Sequence, residues 1–380
     1  MQISIKRFST CFLILATAAC SSSSASPAAS SAGGTSAAAG ASGVAGGSGA
    51  GGTSSTGGAA GAGGSAATGD PTASAVAAAQ AFLGMLDAAQ TAKVSFTFDD
   101  AGQRATWSNF PTGIFQRNGL RLGDLTDAQQ KAAFALLQAL LSAKGYQQVI
   151  DNVNADEALK QSSSGGMLQF GYAEHYVSIL GTPSATAPWM VQFGGHHLAI
   201  NVTIVGPKMT IAPSLTGAQP SSFTLNGATV RPVGNEVDKA FALMGALSAD
   251  QQAKAIVGAQ YMDLALGPGK DGMTLAPEGI AASELSSALQ AQLVDLIAER
   301  VGIINDVAAA ARLADVQSNL STTYFAWSGP TAPGSAVYFR ITGPTLVIEF
   351  APQSLGGDAM NHIHSMYREP TNDYGKAWAP

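Results

Sequence analysis

The chain of 380 residues has two cysteines, Cys11 and Cys20, both near its start. Beyond position 20 there is no thiol, which excludes a disulfide scaffold, a cysteine nucleophile and cysteine-ligated zinc from the body. Charge is scarce as well, at 12% of residues. With 19 basic against 25 acidic side chains the net charge is −6, so the basic footprint of a nucleic-acid binder is missing and no nucleic-acid partner is expected. No apolar run reaches the roughly 20 residues that span a bilayer. No Gly-Lys-Ser/Thr phosphate loop and no Gly-x-Ser-x-Gly nucleophile elbow occurs.

Glycine, in contrast, is plentiful at 44 residues and unevenly spread. From Ser21 to Gly69 there is no charged residue and little besides Ser, Ala, Gly and Thr. Such a tract buries too little apolar surface to offset its ordering entropy, so a flexible coil is expected, with a root-mean-square reach on the order of 40 Å. Ahead of it, Lys6 and Arg7 form a basic region, Cys11 to Ala16 a short apolar stretch, and Thr17-Ala18-Ala19 a small-residue run before Cys20. This reads as a signal peptide over 1–19. The small residues before a cysteine resemble a bacterial lipobox, with Thr17 where leucine is usual. The expectation is therefore a lipidated Cys20, a tether over 20–70, and a folded body over 71–380. Its partner would be the membrane, reached through the lipid, and its place the cell envelope, the outer membrane or, with ordinary cleavage, outside the cell. Losing Lys6 and Arg7 leaves 17 basic against 25 acidic residues, a mature charge of −8.

The body alternates helical and strand-like patterns. Apolar residues at helical spacing predict helices over Ser74–Ala89, Thr126–Ala143, Ser248–Leu266 and Ser283–Ala311. Leu125-Thr-Asp-Ala-Gln-Gln, Leu247-Ser-Ala-Asp-Gln-Gln and Leu285-Ser-Ser-Ala-Leu-Gln look alike, each offering a Ser or Thr as helix cap. Strand regions echo each other too. Tyr176, Gly181 and Pro183 precede the run from Trp189 to Asn201, and Tyr324, Gly329 and Pro330 precede the run from Val337 to Glu349. These repeats predict an α+β body of two related halves, about 94–232 and 233–380, each a helical hairpin with antiparallel sheet.

Four of the five histidines fall in two tight pairs, His196-His197 and His362-x-His364. On an extended segment residues i and i+2 share a face, so His362 and His364 could chelate one ion. Adjacent His196 and His197 point oppositely on a regular strand, so one of them would join unless Gly194-Gly195 make a bulge. Imidazole ligands with a carboxylate such as Glu349 or Asp373 suit zinc, copper, iron or nickel rather than calcium. His175, without a partner histidine, reads as a strand residue.

Three segments together resemble the family called domain of unknown function 3500: Gly195-His-His-Leu-x-x-Asn201, Tyr338-Phe-Arg-Ile-x-Gly-Pro-x-Leu-Val-Ile-Glu349, and Asn361-His-Ile-His-Ser-x-x-Arg368 with Asn372-Asp-Tyr-Gly375. The resemblance runs from about Val94 to Gly375 and places His196, His197, Glu349, His362, His364, Arg368 and Asp373 on signature positions. Ala351-Pro352 replaces a more polar stretch, and no histidine follows His364. The family implies no activity.

From these residues the leading expectation is a metal-dependent hydrolase or oxidase on the cell surface. His362, His364 and one of His196 or His197 would hold the ion, with Glu349 as ligand or general base. Arg368 would bind an anionic group, and Asp373 would pair with it or orient a histidine. The alternatives are a lipoprotein that binds a metal or small ligand without turnover, and an envelope scaffold with structural histidines.

Overall fold

A computed structural model describes residues 71–379 apart from 164, 355 and 356. The leader, Cys20 and the tract over 20–70 lie outside the described residues.

In chain order the described elements begin with α1 (Pro71–Leu83), α2 (Ala88–Val94), β1 (Ser95–Phe96), the short α3 (Ala101–Arg104), β2 (Leu120–Arg121), α4 (Asp127–Leu140) and α5 (Ala143–Ser162). Strands β3 (Tyr176–Leu180), β4 (Trp189–Gly195), β5 (Leu198–Val205), β6 (Lys208–Thr210) and β7 (Ser214–Ala218) follow, then a separate hairpin of β8 (Phe223–Leu225) and β9 (Ala228–Val230). Next come α6 (Gly234–Ala246), α7 (Ala249–Ala255), β10 (Ile256–Gly258), β11 (Ile280–Ala281), α8 (Ser287–Val301) and α9 (Asp306–Ser318). The chain closes with β12 (Tyr324–Ser328), β13 (Tyr338–Thr342), β14 (Val347–Pro352) and β15 (Ile363–Arg368). The order two helices, short strand, short strand, helical hairpin, meander thus occurs twice.

The sheet runs β1-β3-β4-β5-β7-β15-β14-β13-β12-β10, and its centre is the antiparallel pair β7–β15, with His364 opposite Gly217. The fold is α+β, as the repeats predict, but the sheet is mixed. Its outermost pairs, β1–β3 and β10–β12, are parallel, because a helical hairpin separates the two strands of each pair and makes the crossover a parallel pair needs.

Capping sets the helix boundaries. Thr126 and Gln129 form a reciprocal capping box, as do Ser248 with Gln251 and Asp87 with Gln90, and Ser286 accepts from Leu289 N–H. Three of the expected long helices are interrupted. The first breaks after Leu83, and the Asp87 box opens α2. The helix expected to reach Leu266 stops at Ala255, where β-branched Ile256 and Val257 lead into β10. The last divides at Gly302, and Asn305 caps α9 by accepting from Ala308 N–H. The fourth, Thr126–Ala143, ends at Leu140, and Ser142 caps the next helix.

One sheet face packs into the main apolar core with the helices, burying Phe193, Trp327, Phe339, Phe350 and Tyr367. The other face is polar. It carries Gln192, Asn201, Arg340, Glu349, His364 and Arg368, and segments 97–119 and 259–279 lie against it. Trp107 and Leu264 from these segments pack with Ala199, Leu215 and Met366.

Candidate metal centre

His196 and His197 form the two-residue turn between β4 and β5, since Gly195 pairs with Leu198. His197 has φ 60, left-handed backbone that a non-glycine residue rarely adopts and that is retained where the surroundings dictate it. Its N–H donates to Asn109 O at 3.2 Å, fixing the turn to segment 97–119. On the far side of β7, His364 on β15 and His362 just before it flank Ile363, so the pleat puts both imidazoles on the polar face. Gly217 makes room there, since a Cβ would lie 3.3 Å from the His364 ring and 2.5 Å from Ile363 O.

The two pairs meet although far apart in sequence. His197 Nε2 and His362 Nε2 are 2.8 Å apart, one imidazole donating to the other. One nitrogen each from His197, His362 and His364 lies within 4.8 Å of the others, and all three side chains are buried. Asn109 Nδ2 stands 3.2 Å from His364 Nε2. The Nδ1 atoms of His362 and His364 are buried without a hydrogen bond among the described residues.

Burial is the main reason these imidazoles stay neutral. It holds His197 and His364 well below the ordinary value, helped by the neighbouring histidines, and pushes His362 down to about 4. Each neutral ring therefore keeps one nitrogen lone pair, and binding an ion needs at most a shift of the N–H to the other ring nitrogen.

His196 has a different partner. Its ring lies 3.6 Å from that of His197, but Nδ1 bonds Asp156 Oδ1 at 2.7 Å. The other Asp156 oxygen accepts from Gly171 N–H at 2.7 Å. His175 lies just before β3, fully buried, stacked on Phe193 and crowded against Gly195, with neither ring nitrogen hydrogen-bonded among the described residues.

Glu349, Arg368 and Asp373 lie on or beside this sheet face, engaged with segment 259–279 and the C-terminal turn. Glu349 accepts from the N–H groups of Ala265 and Leu266, each at 2.8 Å, and from Tyr338 OH at 2.7 Å. Arg368 donates to Leu266 O, Gly267 O, Asp271 and Asp373. Asp373 also accepts from Glu369 N–H. The grouped nitrogen ligands belong to His197, His362 and His364 alone among the described residues.

Sequence reasoning overlooked Asp156 and Asn109. Asp156 had left a signal: Val149, Asn152, Val153 and Asp156 form one buried stripe on α5, and two polar residues within such a stripe call for partners. Asn109 lies in an irregular segment that carries no periodic signal.

The family described as protein of unknown function (DUF3500) matches residues 68–376, so the chain belongs to it. No curated protein and no solved structure matches the chain.

Proposed function

We propose that this member of the DUF3500 family is a metal-binding lipoprotein of the cell envelope that holds a zinc, copper or iron ion on His197, His362 and His364. The convergence of three buried, neutral imidazoles, one from the β4–β5 turn and two from the start of β15, carries the reading. The donor set is all nitrogen, which suits first-row transition ions and not calcium or magnesium. Around a tetrahedral ion with bonds near 2.1 Å, ligand atoms stand about 3.4 Å apart. The 2.8 Å contact would open by about 0.6 Å and a 4.8 Å separation would close by about 1.4 Å, which is within reach of side-chain adjustment. Support for anchoring comes from the leader, the small residues before Cys20 and the charge-free tract.

A second reading, metal-dependent hydrolysis, is favoured by the His196–Asp156 pair. Three protein ligands leave a tetrahedral ion one open position, and a bound ion would supply Lewis acidity. Asp156 fixes the ring orientation of His196, whose Nε2 makes no hydrogen bond to the described residues and could hold or release a proton beside the site.

Elemental analysis of purified protein tests the metal claim. About one ion per chain is expected, lost in His197→Ala and His364→Ala while circular dichroism stays native. Equal metal content in these variants and the wild type would end it. A chelator-sensitive hydrolysis screen separates turnover from binding. Mass spectrometry of the mature N-terminus should find a lipidated Cys20, and an unmodified start would refute the anchor.

A further inference from the structure

Arg117 lies in segment 97–119 and is buried, yet it makes no ion pair with any described residue. One nitrogen, Nη2, is within 2.7 Å of three carbonyl oxygens, those of Ser108, Phe110 and Gly195. The other, Nη1, is buried and has no partner among the described residues. A guanidinium taken out of water with part of its fork unused is costly. Burial pushes Arg117 down to about 10, and the carboxylates whose charge reaches it, Asp156 and Glu174, make no hydrogen bond to it. Asp156 holds His196, and Glu174 holds Arg121 through Oε1, its Oε2 being buried without a partner among the described residues.

Arg117 lines a cavity of about 20 Å³ against the polar sheet face, together with Gln103, Asn118, Ser178, Gln192 and Asn201. That volume admits about one water-sized group. No carboxylate lines it. The wall amides and the Ser178 hydroxyl already bond one another or backbone carbonyls, so the buried donor left without a partner at this wall, among the described residues, is Arg117 Nη1. The matching place in the second half is closed by an ion pair. Gly119 and Gly279, both with positive φ, stand immediately before β2 and β11. One residue earlier the second half has Glu278, bonded at 2.7 Å to Arg340, whereas the first half has neutral Asn118, which reaches Gln192, the residue in the place of Arg340, through Gln103.

We infer that the cavity behind segment 97–119 is a binding site for one small monoanion, chloride-sized, which supplies Arg117 with the negative partner that the fold omits there. None of His197, His362 and His364 lines this cavity, although Arg117 also reaches Gly195 O beside the histidine turn, and the site does not require metal.

Thermal unfolding of the metal-free full chain in sodium chloride against sodium gluconate, at fixed ionic strength, tests this. Chloride should raise Tm by about 5 °C once it stands at roughly 100 times its Kd. Arg117→Gln should show no difference between the two salts. Asn118→Asp, which brings a carboxylate to the place of Glu278, should unfold at higher temperature in gluconate and no longer respond to chloride; it decides the matter if Arg117→Gln fails to fold. Crystals grown in bromide should show an anomalous peak beside Arg117 Nη1. The inference is overturned if the wild type unfolds alike in both salts, or if a folded Arg117→Gln or Asn118→Asp keeps the wild-type chloride response.

Discussion

Two cross-strand pairs occupy matching places in the two halves. Gln192 on β4 faces Asn201 on β5, and Arg340 on β13 faces Glu349 on β14. Each pair lies under one of the covering segments, but the chemistry differs. In the first half the contacts are neutral: Gln103 donates to Gln192 at 2.9 Å, and Gln192 donates to Arg104 O at 3.0 Å and to Asn201 at 3.2 Å. In the second half charge closes the layer, through Glu349 on two backbone N–H groups, Arg340 on Glu278 and Arg368 on Asp271. One duplicated frame has produced a segment locked by ions and another whose buried cation, Arg117, is left without a carboxylate. The histidines lie where the less tightly locked segment meets the centre of the sheet, since Asn109 touches His197 and His364. A ligand site needs unsatisfied groups, and the second half has used up most of its own.

The sharpest way to break this comparison is to remove the acid from one pair and the amide from the other. Glu349→Ala strands two backbone donors and the Tyr338 hydroxyl in a fully buried place, and should cost about 3–5 kcal/mol. Asn201→Ala loses one bond to Pro213 O at 2.8 Å and one from Gln192, and should cost about 1–2 kcal/mol. Urea unfolding of both variants gives the two values. Equal costs would mean that the second segment is not held by its ions.

The helical layers differ in the same sense. Glu236 on α6 is buried, and its Oε1 accepts from Ser365 Oγ at 2.7 Å, while α1, in the matching place, buries only Thr72, Ala75, Ala79 and Phe82. Burial pushes Glu236 up to about 7 from 4.5, while the positive charges of Arg300 and Lys144 pull it down and Glu299 adds to the rise. Because the folded pKa is raised, the folded chain keeps a proton that the unfolded chain loses between pH 4.5 and 7. Stability from this group therefore falls as pH rises through that window and is level above it, by roughly 3 kcal/mol in all. Glu236→Gln should gain on the wild type by that amount between pH 4.5 and 8 in urea titrations. A difference that does not change with pH would show that Glu236 titrates normally.

What was legible in the sequence follows from what each feature depends on. The duplication showed through because strand alternation and Gly/Pro turns are local, as at Tyr176 to Asn201 and Tyr324 to Glu349. The parallel outer pairs did not, since β1 has two residues and β10 three, too short for any period. The spacing of His362 and His364 announced a shared face, whereas His196-His197 read as a regular strand or a Gly194-Gly195 bulge and form instead a two-residue turn, which the run of strand formers around them does not signal. Glu349, Arg368 and Asp373 were harder to read. A carboxylate or guanidinium that clamps a buried segment and one that meets a ligand have the same sequence signature, and only the partners tell them apart.

The smallest expected difference lies at the caps of α4 and α8, which open matching hairpins. Gln130 donates to Leu122 O and Leu125 O, and Gln290 donates to Ala282 O and Leu285 O, so the turn before each helix is held in the same way. The caps differ by one residue. Gln129 completes a capping box by reaching back to Thr126 N–H, whereas Leu289 leaves Ser286 with only the forward bond. Thr126→Ala loses its forward bond and frees the reciprocal Gln129 contact, and should cost about 1–1.5 kcal/mol; Ser286→Ala should cost about 0.5–1. Leu289→Gln should close most of that gap by rebuilding the box in the second half. If Leu289→Gln leaves stability unchanged, the box adds nothing beyond a single cap, and the two hairpins open with equal strength despite their different sequences.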